Sequence, residues 1–203
     1  MSRKILPVLL MLLLLALCGC QAYSYDESYL SHNDYHSEDE SEGLTDINEI
    51  FYDFATVDLD GNEVTQDFFT ENELTLVNVW TTWCGPCKKE LPALASAAEQ
   101  YAERGFAVLG VLQDGVGGRE LDVDTKATEN AVKLLDNAGA KYTVIIPDMN
   151  WMTGILSVIT AFPTSFFVDN EGKILERSFV IGSLDEEGWE IIIEEMLERV
   201  ENE

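Results

Sequence analysis

Two cysteines separated by two residues, in Trp83-Cys84-Gly85-Pro86-Cys87, can close a disulfide on themselves and reopen it, which is the chemistry of thiol-disulfide exchange. The same spacing supplies half of a zinc site, so the remaining ligands decide between the two. Only Cys18 and Cys20 are left, both at the end of an apolar leader, and the two histidines, His32 and His36, lie in an acidic stretch far upstream. That inventory disfavours a metal. Redox chemistry at Cys84 and Cys87 leads, with no cofactor beyond the two sulfurs. Gly115, Gly117 and Gly118 lack the strand-turn-helix spacing of a nucleotide fingerprint.

The elements around the dithiol follow from apolar periodicity. Leu74 to Trp80 is a continuous apolar, β-branched run of the kind buried on both faces of a sheet. After it, Pro86 to about Arg104 carries Leu91, Leu94, Ala95, Ala98 and Tyr101 at helical spacing and stops at Gly105. The dithiol therefore falls at the first turn of a helix, where unpaired amides and the helix dipole favour an anion. This makes Cys84 the attacking thiolate, and Cys87, one turn further in, the residue that resolves a mixed disulfide. Pro86 suits that first turn because its missing N–H costs nothing there.

Further along, Phe106–Leu112 and Tyr142–Ile146 read as strands, and Thr125–Asn137 as a helix closed by Gly139. A short helix is expected around Trp151–Ser157. Phe51–Asp58 with Glu63-Val64, and Thr164–Val168 with Lys173–Ile181, read as hairpins; Asp185–Val200 reads as an amphipathic closing helix. The stretch from Gln113 to Asp124 is a long connection near the active-site end of the sheet, either a partner-reading loop or a tolerated insertion. The expected class is α/β: a central mixed sheet flanked by helices, with an N-terminal β-hairpin.

Upstream, Arg3-Lys4 and the apolar run Ile5–Leu17 form an export signal too short for a comfortable membrane span. Its end, Leu17-Cys18-Gly19-Cys20, resembles a bacterial lipobox with Cys20 as the lipidated residue; an ordinary secretory signal or an uncleaved anchor are the alternatives. All three place the domain outside the cytoplasm, where a free dithiol needs a source of reducing electrons. Residues 1–19 are thus read as a lipoprotein-type signal peptide, 20–48 as an acidic flexible linker and 49–203 as one folded domain. With 38 acidic against 12 basic side chains, nucleic acid is excluded as a partner by charge repulsion.

With those residues in view, the chain resembles the thioredoxin superfamily, and within it the TlpA/ResA-like membrane-tethered thiol-disulfide oxidoreductases. The resemblance runs through Asp53-Phe54-Ala55 and Asp60-Gly61, then Val77 to Pro92, then Phe162-Pro163-Thr164-Ser165-Phe166-Phe167-Val168-Asp169 and Gly172. It implies a thioredoxin-like fold and roles for four further residues. Glu90, three residues beyond the second cysteine, would take the proton that Cys87 must lose, because Asn78 stands where cytoplasmic thioredoxins carry a buried Asp. Phe162-Pro163 would supply a cis-proline facing the dithiol, and Trp83 the aromatic beside it, so that Trp83, Phe162 and Pro163 bind substrate.

The resemblance further implies a reductase of disulfides in exported proteins, with apocytochrome thiols in cytochrome c maturation as one substrate. A membrane electron donor of thiol-reductase type would regenerate it. Running the same couple backward gives a dithiol oxidase; a potential near about −270 mV favours reduction and one near about −120 mV oxidation. A peroxide reductase and a tethered redox relay or binding module are the remaining alternatives.

Overall fold

A computed structural model of the protein describes residues 54–118 and 121–202. The leader, Cys20, the acidic stretch with its two histidines, and residues 51–53 of the first hairpin lie outside the described residues. Five helices and nine strands organise the described part. A hairpin of β1 (Ala55–Asp58) and β2 (Glu63–Thr65) leads into a single turn of helix, α1 (Asp67–Thr70), which the apolar periodicity is too short to reveal. β3 (Leu74–Trp80) and α2 (Gly85–Gln100) frame the dithiol. They are followed by β4 (Phe106–Leu112), a small hairpin of β5 (Val116–Gly117) and β6 (Asp122–Val123), α3 (Thr125–Ala138) and β7 (Thr143–Ile146). The chain ends with α4 (Met149–Thr153), β8 (Thr164–Asp169), β9 (Val180–Ile181) and α5 (Glu186–Glu201).

Seven strands form one mixed sheet in the order β2-β1-β7-β4-β3-β8-β9, with β3 parallel to β4 and antiparallel to β8. Every residue of β3 is buried, as a central strand covered on both faces requires. Strand alternation then sorts side chains between two layers. Val77, Val79, Leu109 and Phe166 meet Phe54, Phe69 and Trp151 on the α1/α4 face, where Phe54 packs edge-on against both rings. Leu74, Leu76 and Phe167 meet Leu94, Trp189 and Ile193 on the face covered by α2 and α5. Each such fully buried aliphatic or aromatic side chain contributes about 1.5–3 kcal/mol.

Three expected elements differ in detail. The helix expected to run to Arg104 ends at Gln100, and a separate 3-10 turn, Ala102–Arg104, completes it; Arg104 there pairs with Glu194 (2.6 Å) and Glu201 (2.8 Å) of α5. The helix expected at Trp151–Ser157 is α4 followed by a 3-10 turn, Ile155–Ser157. The arm expected as a strand from Lys173 to Ile181 forms ladder pairs with β8 only near its ends. Three residues separate Thr164 from Val168 on β8, whereas six separate their partners Ile181 and Ile174, so the return arm bulges. Arg177 adopts φ 58 in that bulge, and Ser178 Oγ accepts the Phe167 N–H (3.1 Å) that a regular strand carbonyl would have taken.

Gly110 of β4 has no room for a side chain. A Cβ there would lie 2.9 Å from Val144 Cγ2 and 3.4 Å from both Trp80 Nε1 and Tyr142 Cε2. Gly110→Ala is therefore expected to destabilise the domain by about 1–3 kcal/mol through overpacking. Urea unfolding reads this directly, and an unchanged midpoint would contradict it.

Candidate active site

Three of the helices are capped at their N-termini by an aspartate: Asp124 receives the Ala127 N–H on α3, Asp148 the Trp151 N–H on α4, and Asp185 the Gly188 N–H on α5. On α2 the capping position belongs to Cys84, whose Sγ receives the Cys87 N–H at 3.1 Å. A sulfur thus occupies the place where α3, α4 and α5 each put a carboxylate. The physical reason is shared, since free amides at a helix N-terminus stabilise whatever anion is set there. Cys84 and Cys87 are joined as a disulfide with S–S 2.05 Å. Both are buried, Cys84 at 4% and Cys87 at 0% exposure, so Cys84 is the sulfur nearer solvent.

The aromatic surroundings come from two separate loops. Trp83 is 67% exposed and meets the Phe162 ring edge-on at 5.9 Å. Phe162 also packs on the cluster that contains both cysteines. The Phe162–Pro163 peptide is cis, the Pro163 carbonyl accepts Gly182 N–H at 2.9 Å, and Thr164 Oγ1 donates to Ala161 O at 2.9 Å. Trp83, Cys84, Cys87 and Phe162 therefore share one end of the sheet. Pro92 lies on the exposed side of an uninterrupted α2, away from this cluster.

Beneath α2, strand register aligns Ser165, Asn78 and Gly110 side by side on β8, β3 and β4. Glu90 reaches down onto this row and is 1% exposed. Asn78 Nδ2 donates to Glu90 Oε1 (2.9 Å) and to Ser165 Oγ (2.9 Å). Burial pushes the Glu90 carboxyl up from 4.5 to about 7, against the pull of the Asn78 amide and the Leu184 backbone N–H. Glu90 sits one helical turn beyond Cys87, and long helical side chains lean back toward the N-terminus, so the carboxyl and the Cys87 sulfur share a face about 5–6 Å apart at Cβ. Tyr142, whose hydroxyl is buried nearby, is pushed upward by burial and by the Glu90 charge.

Sequence reasoning named Asn78 and Glu90 but missed their partner Ser165. Its signal was a polar residue on the inward face of a strand where Phe167 shares that face. Asp114, which binds Thr82 beside the dithiol, left no such trace, because that contact spans 32 residues. Among the described residues, no helix is long and apolar enough to cross a membrane and no group of three His, Cys, Asp or Glu side chains is arranged to hold a metal.

Comparison with known proteins agrees with this geometry. A family model described as the AhpC/TSA family matches residues 47–177. Thiol-disulfide oxidoreductases named ResA from Bacillus thuringiensis and Bacillus cereus are 28% and 26% identical, over 82% and 88% of this chain and 83% and 90% of theirs. The thioredoxin domain of a thiol-disulfide oxidoreductase from Bacteroides vulgatus is 25% identical with a TM-score of 0.53, over 71% of this chain and 92% of that one. A thiol:disulfide interchange protein of the thioredoxin family from Chlorobium tepidum shares the fold, with a TM-score of 0.57 at 22% identity, over 71% of this chain and 92% of that one. Sequence, sheet topology and the closed cysteine pair converge, and the chain belongs to the AhpC/TSA family, as a thiol-disulfide oxidoreductase of thioredoxin-like fold.

Proposed function

We propose that the protein is a lipid-anchored reductase on the extracytoplasmic face of the cell membrane, acting on disulfides of exported proteins, with cytochrome c maturation as one setting. The pair Cys84–Cys87 at a helix N-terminus, with buried Glu90 one turn beyond, carries the chemistry. In the reduced enzyme the Cys84 thiolate attacks one substrate sulfur, forming a mixed disulfide and releasing the other substrate sulfur as a thiolate. Cys87 then passes its proton to Glu90 and attacks Cys84 Sγ. The Cys84–Cys87 disulfide forms, the second substrate thiolate leaves, and two electrons have moved to the substrate.

Trp83, Phe162 and Pro163 form the rim against which an extended substrate segment lies. A membrane donor of thiol-reductase type returns the two electrons, and no cofactor enters the cycle. The export leader and the lipobox-like Cys20 support the location, and the relatives named ResA support the reaction. In the full-length chain, Cys87→Ala is expected to accumulate a mixed disulfide between Cys84 and an exported protein in the membrane fraction, cleaved by dithiothreitol. The lipid on Cys20 is read by metabolic labelling with a tagged fatty acid, which Cys20→Ser should abolish. Absence of any thiol-sensitive adduct would sink the reductase, and wild-type protein that takes up no fatty acid would sink the lipid anchor.

A further inference from the structure

The turn that delivers Cys84 to its helix is held from outside by a carboxylate with no part in the exchange steps. β3 and β4 are parallel with Trp80 opposite Leu112, so the segments leaving the two strands start side by side at the same end of the sheet. Thr82 and Asp114 each stand two residues beyond that pair, and there they meet. Thr82 N–H donates to both Asp114 carboxylate oxygens at 3.0 Å, and Thr82 Oγ1 donates to Asp114 Oδ2 at 2.6 Å. Hydrogen bonds to an ionised acceptor are about twice as strong as neutral ones, and here one side chain receives three.

What they hold is small and specific. Cys84 N–H donates to Thr81 O at 3.2 Å, closing a tight turn in which Thr82 is the second residue and Trp83 the third. Thr81 and Thr82 are buried, whereas Trp83 is turned outward against Phe162 and Cys84 caps α2. Pinning Thr82 from the β4 side therefore sets both the exposed aromatic and the direction from which Cys84 Sγ meets the helix amides.

The clamp also carries charge. Asp114 binds Thr82 at 3.0 Å, and the Cys84 N–H closes the same turn onto Thr81 O at 3.2 Å, so the carboxylate charge lies on the turn that carries the sulfur. Lys88 and Lys89 are exposed on α2 itself, and Glu90 is buried one turn below Cys87. A like charge disfavours the Cys84 thiolate, and a less stable reduced form makes the couple a better electron donor.

We propose that Asp114 is a positioning residue of the exchange site, clamping the Thr81–Cys84 turn and biasing the Cys84–Cys87 couple toward giving electrons to substrate. This presupposes that Cys84 and Cys87 are the exchanging pair, and the experiment separates the two. Full-length protein carrying Asp114→Asn or Asp114→Ala is equilibrated in glutathione redox buffers, and its exchange rate with a small disulfide is measured at fixed pH. Both substitutions are expected to shift the equilibrium toward the dithiol by about threefold to tenfold, tenfold being about 30 mV for a two-electron couple. Asp114→Ala should in addition exchange about tenfold more slowly. Asp114→Asn, which keeps an acceptor for Thr82 N–H, should stay within about twofold of the wild-type rate. Variants that fold and match the wild-type equilibrium overturn the role of Asp114, and Asp114→Asn alone decides if the alanine variant does not fold. A wild-type disulfide that never equilibrates with glutathione overturns the exchanging pair as well.

Discussion

Replacing Cys84 by serine is expected to reduce exchange with a disulfide substrate by about a thousandfold or more while leaving the domain folded. The size of the effect follows from position and element. Cys84 is the cap of α2 and the cysteine nearer solvent, bordered by Trp83 and Phe162, whereas Cys87 is fully buried behind it. A serine hydroxyl accepts the same Cys87 N–H and preserves the helix start, but it forms neither a thiolate nor a mixed disulfide. Loss of the four-residue disulfide loop removes about 2 kcal/mol of denatured-state restriction. The fair stability reference is therefore reduced wild type, whose unfolding midpoint Cys84→Ser should match. Exchange that persists at the wild-type rate in a folded Cys84→Ser protein would remove Cys84 from the mechanism.

Glu90→Gln should slow resolution of the mixed disulfide about a hundredfold and abolish an ionisation near pH 7 in the rate profile, as expected when a general base is removed. The same substitution has a stability signature of known sign. The Glu90 carboxyl is raised from 4.5 to about 7 in the folded protein, so folding carries no penalty from it below pH 4.5, where both states hold the proton. As pH rises from 4.5 to 7 the unfolded chain ionises first, and stability falls; above 7 the loss levels off at about 3 kcal/mol. Glutamine stays neutral throughout. Between pH 5 and pH 8 the stability advantage of Glu90→Gln over wild type should therefore grow by about 2–3 kcal/mol in urea unfolding, with the many surface carboxylates cancelling in the comparison. Parallel stability curves for the two proteins would show that Glu90 is not the buried base described.

Much of the frame was legible because it rests on local rules. β3 and β4 match their expected bounds to the residue, since a predominantly apolar run of seven residues fits best in the middle of a sheet covered on both faces. The stop of α3 was equally plain, at Gly139, which takes the left-handed conformation there. The return arm after Gly172 misled, because Ile174 and Val180-Ile181 have strand character while the bulge between them is set by one hydroxyl, Ser178 Oγ, meeting one amide across 11 residues. Nothing local encodes such a contact. The long connection after Leu112 contains the β5–β6 hairpin, whose strands of two residues each fall below any periodicity.

By itself the sequence determined the spacing and the setting of the cysteine pair. Cys84 and Cys87 at a helix start, Pro86 behind the first, and an apolar strand before them are properties of neighbours along the chain. They follow from hydrogen bonding and electrostatics within one or two turns. The tertiary structure decided what surrounds those atoms. Glu90 has its raised proton affinity only because α2 lies on β3 and shuts out water, and Asn78 meets Ser165 only through the antiparallel register of β3 and β8. Asp114 reaches Thr82 only because β3 and β4 end side by side. Desolvation and contacts between distant segments exist only once the chain is packed, which is why the reactive pair was readable and the environment that tunes it was not.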